Sequence, residues 1–275
     1  MSTGVPKRQV RLLLNSLKIV DLVFEIVDAR CPRSTRSPLV ERLAAGKKQL
    51  LILNKADLAE PAATEQWLLF LAREGKAALA VDSRKGWGFR ELWLYLEEAA
   101  LELNQKLQKK GRRPRELRTA VLGIPNVGKS TFLNRLLGKH AVATGNRPGI
   151  TRGPQWVHLR GAVSVLDTPG VLPPQLEDEE AIFKLAVIGA LGEKMYNIED
   201  VARKLLEFLE VRCPESFSRI SGISAGPLSL EGLAQEKKFL LADGLPDLHR
   251  AAGFLLSSFQ SGKLGSLTLE LPDHF

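Results

Sequence analysis

Residues 123–130 read GIPNVGKS, a glycine-bounded loop that ends in Lys129 and Ser130. It matches the spacing GxxxxGK[ST] and lies between a strand-like run, RTAVLGI, and a helical pattern. Glycines let the backbone approach an anion closely, and the loop N–H groups with the helix N-terminus supply positive potential. Lys129 is suited to the outer phosphates of a nucleotide and Ser130 to Mg²⁺. The predicted phosphate-binding residues are Asn126, Val127, Gly128, Lys129, Ser130 and Thr131.

Two further groups follow this loop at the spacing that a nucleoside triphosphate and Mg²⁺ require. Asp167 ends the apolar run VSVLD and begins DTPG, which suits a Mg²⁺ carboxylate, while the Gly170 N–H suits a γ-phosphate. Thr151, within RPGITRG, is the threonine placed to ligate Mg²⁺ and sense the γ-phosphate. A DxxG motif alone is weak evidence because aspartate commonly precedes a turn. Its position after the phosphate loop makes it more specific.

Residues 50–58 read LLILNKADL, an apolar run that ends in the form NKxD. Asp57 can accept hydrogen bonds from both N1–H and N2–H₂ of guanine, a pair that adenine does not offer. Asn54 can fix neighbouring loops, and the stem of Lys55 can cover the base. Asp82 and Ser83 follow the next strand, where a second base-contacting loop is expected. Without the phosphate loop, NKAD would be read as a strand ending in a polar turn.

In most proteins that carry these motifs, the base-reading segments follow the phosphate loop, whereas here they precede it. Connecting the two ends of a chain with the usual order and opening it at another point produces the order seen here. A parallel sheet with surface loops tolerates such a change, since a site depends on positions in space. The basic connector 108–117, QKKGRRPREL, then becomes the join.

Strand-like and helical patterns alternate over the first two thirds of the chain, which predicts an α/β fold with a mainly parallel sheet and helices on both faces. Helical patterns dominate from about residue 178. The chain is therefore divided into a nucleotide-binding domain, 1–175, and a small helical domain, 176–275. A Gly/Ser-rich stretch around 221–232 separates its helices. The tryptophans at 67, 87, 93 and 156 are expected to be packing residues.

Charge is distributed unevenly along the 275 residues. Residues 1–170 carry 29 Lys and Arg against 15 Asp and Glu, a net charge of +14, whereas residues 171–275 carry 10 against 16, a net charge of −6. A strongly basic region favours a polyanionic partner such as nucleic acid, although solvated surface charge is the alternative. Cys31 and Cys213 are isolated, which fits reduced thiols, and no Cys/His cluster predicts zinc.

Taken together, the segments DLVFEIVDARCPRSTRSP, LLILNKADL, GIPNVGKSTFLNRL, TGNRPGITRGPQWV and VLDTPGVL resemble the circularly permuted GTPases of the ribosome biogenesis GTPase A (YlqF) family. The resemblance covers nearly the whole chain. It implies a circularly permuted P-loop GTPase domain followed by a small α-helical C-terminal domain that helps to contact ribosomal RNA. It also implies a cytoplasmic bacterial protein that binds GTP or GDP with Mg²⁺ and acts on large-ribosomal-subunit precursors and rRNA late in assembly. We expect this protein to be a monomer.

The resemblance also assigns roles to residues. It implies K⁺-stimulated hydrolysis accompanied by Asn126, so that Lys129, Thr151 and Asn126 form the expected catalytic set. Ser130, Thr151 and Asp167 are the expected Mg²⁺ ligands, and Asn126 the K⁺ ligand.

Two departures bear on hydrolysis. Val171 follows DTPG where a Ras-like enzyme has a water-orienting glutamine, as is usual in this family. Family members commonly begin with a segment like WFPGHMAK, and Val5 stands where that histidine is expected. Valine transfers no proton. His140 or the ribosome could supply the missing group.

The alternative hypothesis is therefore a ribosome-associated guanine-nucleotide switch or scaffold with little hydrolysis. A membrane-associated signalling GTPase is disfavoured because no lipidation motif or apolar span is evident. NKAD argues against an ATPase.

Overall fold

The computed structural model describes residues 15–138, 155–167, 178–213 and 229–272. Within these ranges, six strands form one sheet: β1 Leu22–Asp28, β2 Lys48–Asn54, β3 Ala78–Val81, β4 Leu117–Leu122, β5 Gln155–His158 and β6 Val163–Asp167. Every residue of β1 is buried. This matches its nearly continuous apolar sequence, which is typical of a strand covered on both faces.

The strand order is β3-β2-β1-β4-β6-β5. Neighbouring strands are parallel except for β5, which runs antiparallel to β6. The predicted mainly parallel sheet is therefore confirmed. The chain moves outward from β1 to β3 and then crosses to β4 on the other side of β1. This reversal creates a crevice at the carboxyl ends of β1 and β4, the usual ligand position in an open α/β sheet.

Helices cover both faces of the sheet, as the sequence predicted. They are α1 Pro38–Leu43, α2 Pro61–Arg73, α3 Phe89–Lys109 and α4 Lys129–Leu137. Val23 and Val27 of β1 point to one face, where they join clusters that include Val40 of α1 and Trp67 of α2. On the other face, the Phe24 ring meets Phe132 of α4 edge-on, with centroids 5.7 Å apart. Helix α1 is too short for its periodicity to have been recognised in the sequence.

Four more helices follow: α5 Glu179–Val187, α6 Ile198–Arg212, α7 Leu230–Glu236 and α8 Leu248–Gln260. Each begins at a polar residue whose side chain accepts a hydrogen bond from the first turn: Asp178, Asn197, Ser229 and Asp247. Such caps satisfy N–H groups that lack helical partners. Helix α7 begins inside the stretch that was predicted only as a Gly/Ser-rich separator.

The chain forms two compact units. The first takes in Met1–Pro174 and Glu270–Phe275, and the second takes in Gln175–Leu269. The sequence-based division placed Glu270 with the helical domain, whereas its contacts tie it to the first unit. The Glu270 carboxylate accepts hydrogen bonds from the backbone N–H groups of Arg33 and Ser34, and from Ser34 Oγ at 2.7 Å. Trp67 Nε1 donates to the Glu270 carbonyl at 3.0 Å.

The assignment of 1–175 and 176–275 to nucleotide binding and ribosome contact stays a prediction. Among the described residues, no helix is both long enough and apolar enough to cross a bilayer.

Candidate nucleotide-binding site

Parallel strands bring most of the predicted site residues to one edge of the sheet. Asn54 ends β2, Asp82 follows β3, Gly123 follows β4, and Asp167 ends β6. Because β2, β3, β4 and β6 run in the same direction as β1, these carboxyl ends share an edge. Segments that are far apart in the chain and in an unusual order are thus neighbours in space.

The phosphate loop depends on two glycines. Gly128 has φ +94°, and a Cβ there would lie 2.3 Å from Asn54 Nδ2. At Gly123, with φ +153°, a Cβ would lie 2.5 Å from the Ile26 carbonyl oxygen. Both positions therefore require a residue without a side chain. Gly128 immediately precedes α4, so its backbone leads into a helix N-terminus that is suited to an anion.

Lys129, the first residue of α4, turns its ammonium back into the loop. Its Nζ donates to the Ile124 carbonyl oxygen. Burial lowers the pKa of Lys129 to about 8, because the charged form loses hydration. A phosphate at the loop would restore favourable surroundings for that charge.

Asn54 joins the base-reading loop to the phosphate loop. Its Nδ2 donates to the Val127 carbonyl oxygen at 2.8 Å, and its Oδ1 accepts from Ser83 Oγ at 2.7 Å. Asn54 is buried, and these two bonds satisfy the hydrogen-bonding needs of both its amide nitrogen and its amide oxygen. The structure thus uses Asn54 to fix neighbouring loops, the role predicted for it from the sequence.

Lys55 makes a second connection between the two loops. Its Nζ donates to the Asn126 carbonyl oxygen at 2.6 Å. Lys55 and Asn126 both have left-handed backbones, with φ +58° and +60°. Non-glycine residues adopt this conformation at a cost of about 1–3 kcal/mol and do so mostly where surrounding contacts enforce it. Strain in both loops thus coincides with the bonds that hold them together.

Asp82 and Ser83 organise the loop after β3. Asp82 is buried, and its Oδ1 accepts from the backbone N–H groups of Arg84 at 2.8 Å and Lys85 at 3.0 Å. Arg135 of α4 donates through Nε to the Ser83 carbonyl oxygen at 3.1 Å. A direct contact of Asp82 or Ser83 with a nucleotide stays a prediction.

The exposed residues of the predicted site are Asn126, Ser130, Thr131 and Asp57, so solvent and a ligand can reach them. Thr151, Gly170, Val5, His140 and Val171 lie outside the described residues. Asp167 is placed by its backbone at the end of β6.

Two residues at and just beyond the end of β1, Asp28 and Arg30, were not recognised from the sequence as part of this region. Asp28 is fully buried beside Asn54, its partner in the β1–β2 register. Arg30 Nε and Nη2 each donate to the Asp28 carboxylate at 2.8 Å, and Lys55 Nζ lies 3.0 Å from Asp28 Oδ2. The only signal in the sequence was a pair of charges, DAR, directly after a buried strand.

The residues present fit a nucleoside phosphate. Three features meet at the carboxyl end of β4: a loop that a single Cβ would obstruct, the partly buried Lys129 with its lowered pKa, and the start of α4. Ser130, next to Lys129, supplies a hydroxyl of the kind that Mg²⁺ accepts as a ligand.

Comparisons with known proteins agree with this geometry. A family model described as 50S ribosome-binding GTPase matches residues 118–212. The ribosome biogenesis GTPase A of Bacillus cereus is 35% identical over 96% of this chain and 91% of its own length. The protein of the same name from Thermotoga maritima is 34% identical over 97% of this chain and 91% of its own.

The chain belongs to the ribosome biogenesis GTPase A family. It is accordingly a GTP-binding GTPase with a role in ribosome biogenesis. The crystal structure of GNP-bound YlqF from T. maritima is similar to it, with a TM-score of 0.65 and 28% identity over 98% of this chain and 99% of that one. These findings confirm the resemblance and the P-loop GTPase fold inferred from the motifs of this family.

Replacing Gly128 by alanine is expected to weaken GDP binding at least about tenfold, since the strain and the displaced Asn54 together exceed the 1.4 kcal/mol that this factor represents. The affinity is measured by titration with a fluorescent GDP analogue. Gly75→Ala is the matched control, because Gly75 also has a positive φ, +67°, but a Cβ there would meet no atom within 4 Å. Equal effects of the two substitutions would contradict the role of the Asn54 contact.

GDP affinity is expected to fall about tenfold between pH 7 and pH 9 through Lys129. The free site has a lysine pKa of about 8, and bound phosphate favours the charged form. Above pH 8, Lys129 of the free site is mostly neutral, so it must take up a proton when GDP binds. The affinity for GDP therefore falls as the pH rises. Calorimetric titration at several pH values measures this slope.

Lys129→Met is the control for this pH dependence, because it removes the lysine but keeps any titration of the guanine base. The variant should bind more weakly and show a flatter slope. An unchanged slope would exclude Lys129 as its source.

Proposed function

We propose that the protein acts late in assembly of the large ribosomal subunit, binding precursor particles in its GTP state and leaving after hydrolysis. The observation that carries the proposal is the direct bonding of the NKAD segment to the phosphate loop, Asn54 to Val127 and Lys55 to Asn126. This bonding supports the proposal because it holds the proposed guanine-reading and phosphate-binding segments next to each other. Family membership and the match to a 50S ribosome-binding GTPase model support the choice of particle.

Each site residue has a proposed task. Asp57 recognises guanine through N1–H and N2–H₂, because its two oxygens match those two donors. Lys129 and the backbone N–H groups of the loop stabilise negative charge on the transferring phosphoryl group. Ser130, Thr151 and Asp167 would hold Mg²⁺, which when bound neutralises phosphate charge. Asn126, whose exposed side chain follows a strained backbone, would hold K⁺.

The partner surface is proposed to include the basic connector. Arg115 is excluded from it, since both terminal nitrogens bind the Asp21 carboxylate, at 2.7 and 2.8 Å. Lys109, Lys110, Arg112 and Arg113 are exposed. Exposed basic residues displace counterions from nucleic-acid phosphates, so these four are the candidates for contact with rRNA. We place the protein in the bacterial cytoplasm and expect a monomer.

The second candidate is a ribosome-associated switch or scaffold with little hydrolysis. Val5 and Val171 favour it, because neither side chain can orient water or transfer a proton. In this case GTP and GDP would control binding to the particle, while turnover stays close to background.

GTP turnover is expected to rise at least about tenfold when purified large ribosomal subunits are added, since the particle would supply the positioning that Val5 cannot. Phosphate release is measured with and without subunits, each in KCl and in NaCl, and Lys129→Ala serves as the blank. Higher turnover in KCl would support K⁺ at Asn126. Tight GTP binding without turnover in any condition would favour the switch or scaffold.

Replacing both Arg112 and Arg113 by alanine is expected to weaken subunit binding several-fold at about 0.1 M salt. The slope of log affinity against log salt concentration should also become shallower by about two, one for each lost phosphate contact. Co-sedimentation over a range of salt concentrations measures both quantities. The control replaces Arg73 and Lys76, two basic residues near the end of α2 that are also exposed. Equal losses in both variants would exclude a specific connector contact.

A further inference from the structure

Trp87 lies on the short segment between β3 and α3, residues 82–88, which we term the Trp87 turn. Its side chain is 62% exposed, so most of the indole faces solvent. Tryptophan is usually well buried, because its large ring contributes more to packing than most side chains do. A single exposed apolar residue is common in proteins, and the surroundings of Trp87 therefore decide whether it has a task.

Hydrogen bonds close the backbone of the Trp87 turn. The Asp82 N–H donates to the Trp87 carbonyl oxygen at 3.0 Å, and the Gly86 N–H donates to the Asp82 carbonyl oxygen at 2.7 Å. Gly88 has φ +80°, and a Cβ there would lie 2.3 Å from the Ala80 carbonyl oxygen, so the turn is drawn tightly against β3. An aromatic ring on such a constrained backbone loses little conformational entropy when a partner binds it.

Cationic residues lie on both sides of Trp87 along the chain. Arg84 and Lys85 precede it on the turn, Arg90 follows it at the start of α3, and all three are exposed. Residues 84–90 contain no Asp or Glu, and Glu91 is the first acidic residue after them. An exposed indole among positive charges suits a ligand that combines negative charge with flat apolar faces.

Arg135 of α4 connects the Trp87 turn to a cavity of about 680 Å³. A Cβ at Gly86 would lie 3.5 Å from the guanidinium carbon of Arg135, and Arg135 Nε donates to the Ser83 carbonyl oxygen at 3.1 Å. Arg135 also lines the cavity, together with Trp93 and Arg160. No Asp or Glu is among the described residues that line it. The turn and the cavity are therefore neighbouring parts of one basic surface.

The cavity repeats the combination of a flat ring and a positive charge. The Arg160 guanidinium lies over the Trp93 ring, 4.2 Å from its centre, which is within the range of a cation–π contact. Arg160 is exposed, whereas Trp93 is half-buried. His158 also lines the cavity, but its Nδ1 is 2.8 Å from the Glu116 carboxylate, and we leave it out of the contact set.

We propose that the Trp87 turn and the adjoining cavity bind single-stranded RNA. The Trp87 indole stacks on an unpaired base, and Arg84, Lys85 and Arg90 contact the phosphates on either side. The strand continues past Arg135 into the cavity, where Arg160 meets the next phosphates. Proteins commonly bind single strands in this way, with aromatic rings for the bases and cations for the backbone.

This inference rests on the ribosomal particle that was proposed as the partner, and it adds a surface distinct from the basic connector. The connector offers charge alone, which suits any RNA. The Trp87 turn requires an accessible base face, which a double helix does not offer. The two surfaces are therefore expected to differ in their preference between single-stranded and double-stranded RNA.

The probe is a fluorescently labelled oligoadenylate of about 12 nucleotides, a length that one single-strand site can cover. GDP is kept at a saturating concentration, so that the probe cannot occupy the nucleotide site. Trp87→Ala is expected to weaken binding of this probe roughly tenfold, through the loss of one base stack. Trp87→Phe keeps a flat ring and should retain most of the affinity. Affinity for duplex RNA of the same length should be unchanged in both variants.

Leu101→Ala is the matched control for Trp87→Ala. Leu101 is exposed to a similar extent, 64%, but lies about 18 Å from the start of α3 at the rise of an α-helix. It should leave the affinity for both RNAs unchanged. Arg90→Gln tests the phosphate contact: the slope of log affinity against log salt concentration should become shallower by about 0.7. Arg73→Gln, at an exposed position on α2, should not change this slope.

Two results with oligoadenylate would overturn the inference. One is an unchanged affinity in folded Trp87→Ala, with folding checked by thermal unfolding. The other is an equal loss of affinity for duplex RNA, which would show a site for polyanions without base stacking. Polyglutamate of matching charge is measured in parallel. If it binds as tightly as oligoadenylate and loses as much affinity in Trp87→Ala, the surface takes an acidic protein segment and the RNA assignment is wrong.

Co-sedimentation of the unsubstituted protein with large ribosomal subunits separates this inference from the proposed function. If the protein does not bind subunits but binds oligoadenylate through Trp87, the ribosomal function fails and the single-stranded RNA surface stands. If it binds subunits but Trp87→Ala leaves the affinity for oligoadenylate unchanged, the reverse holds.

Discussion

The hydrogen bond from Asn54 Nδ2 to the Val127 carbonyl oxygen joins the two halves of the binding site. It connects the end of β2 with the phosphate loop after β4, although β1 lies between these strands. The close approach explains why position 128 must be glycine, since a Cβ there would meet the same amide nitrogen at 2.3 Å. The NKAD segment and the phosphate loop are thereby held together by a buried side chain.

Strand β1 is the element that makes this bond possible. Its seven buried residues pair with β2 on one side and β4 on the other. Beyond its last residue, the chain turns at Arg30 and returns toward α1. At and just beyond its end, Asp28 and Arg30 form a buried ion pair, and Asp28 also contacts Lys55 of the NKAD segment. The crevice at this reversal of strand order is where nucleotides bind in open α/β sheets.

Circular permutation leaves this arrangement intact because none of its contacts depends on chain order. Loops at the carboxyl ends of parallel strands meet whichever strand comes first. The permutation does change where the chain ends lie. Glu270, near the end of the chain, caps backbone N–H groups in the loop that carries Arg30. The first unit therefore takes in the chain up to Pro174 and again from Glu270, whose carboxylate contacts Ser34 in the loop after β1.

The sequence by itself determined the motifs, the permuted order and most strands and helices, because these depend on local spacing and periodicity. The expectation that Trp67 is a packing residue is confirmed. The same expectation for Trp87 is wrong, because its side chain is 62% exposed and lies between two glycines of positive φ. Only the tertiary structure decided the partners of Asn54, the return of Glu270 and the pairing of Asp28 with Arg30 and Lys55. Charged residues after a strand are common, and their task depends on neighbours that are distant in sequence. Those neighbours are set by the packing of the whole sheet.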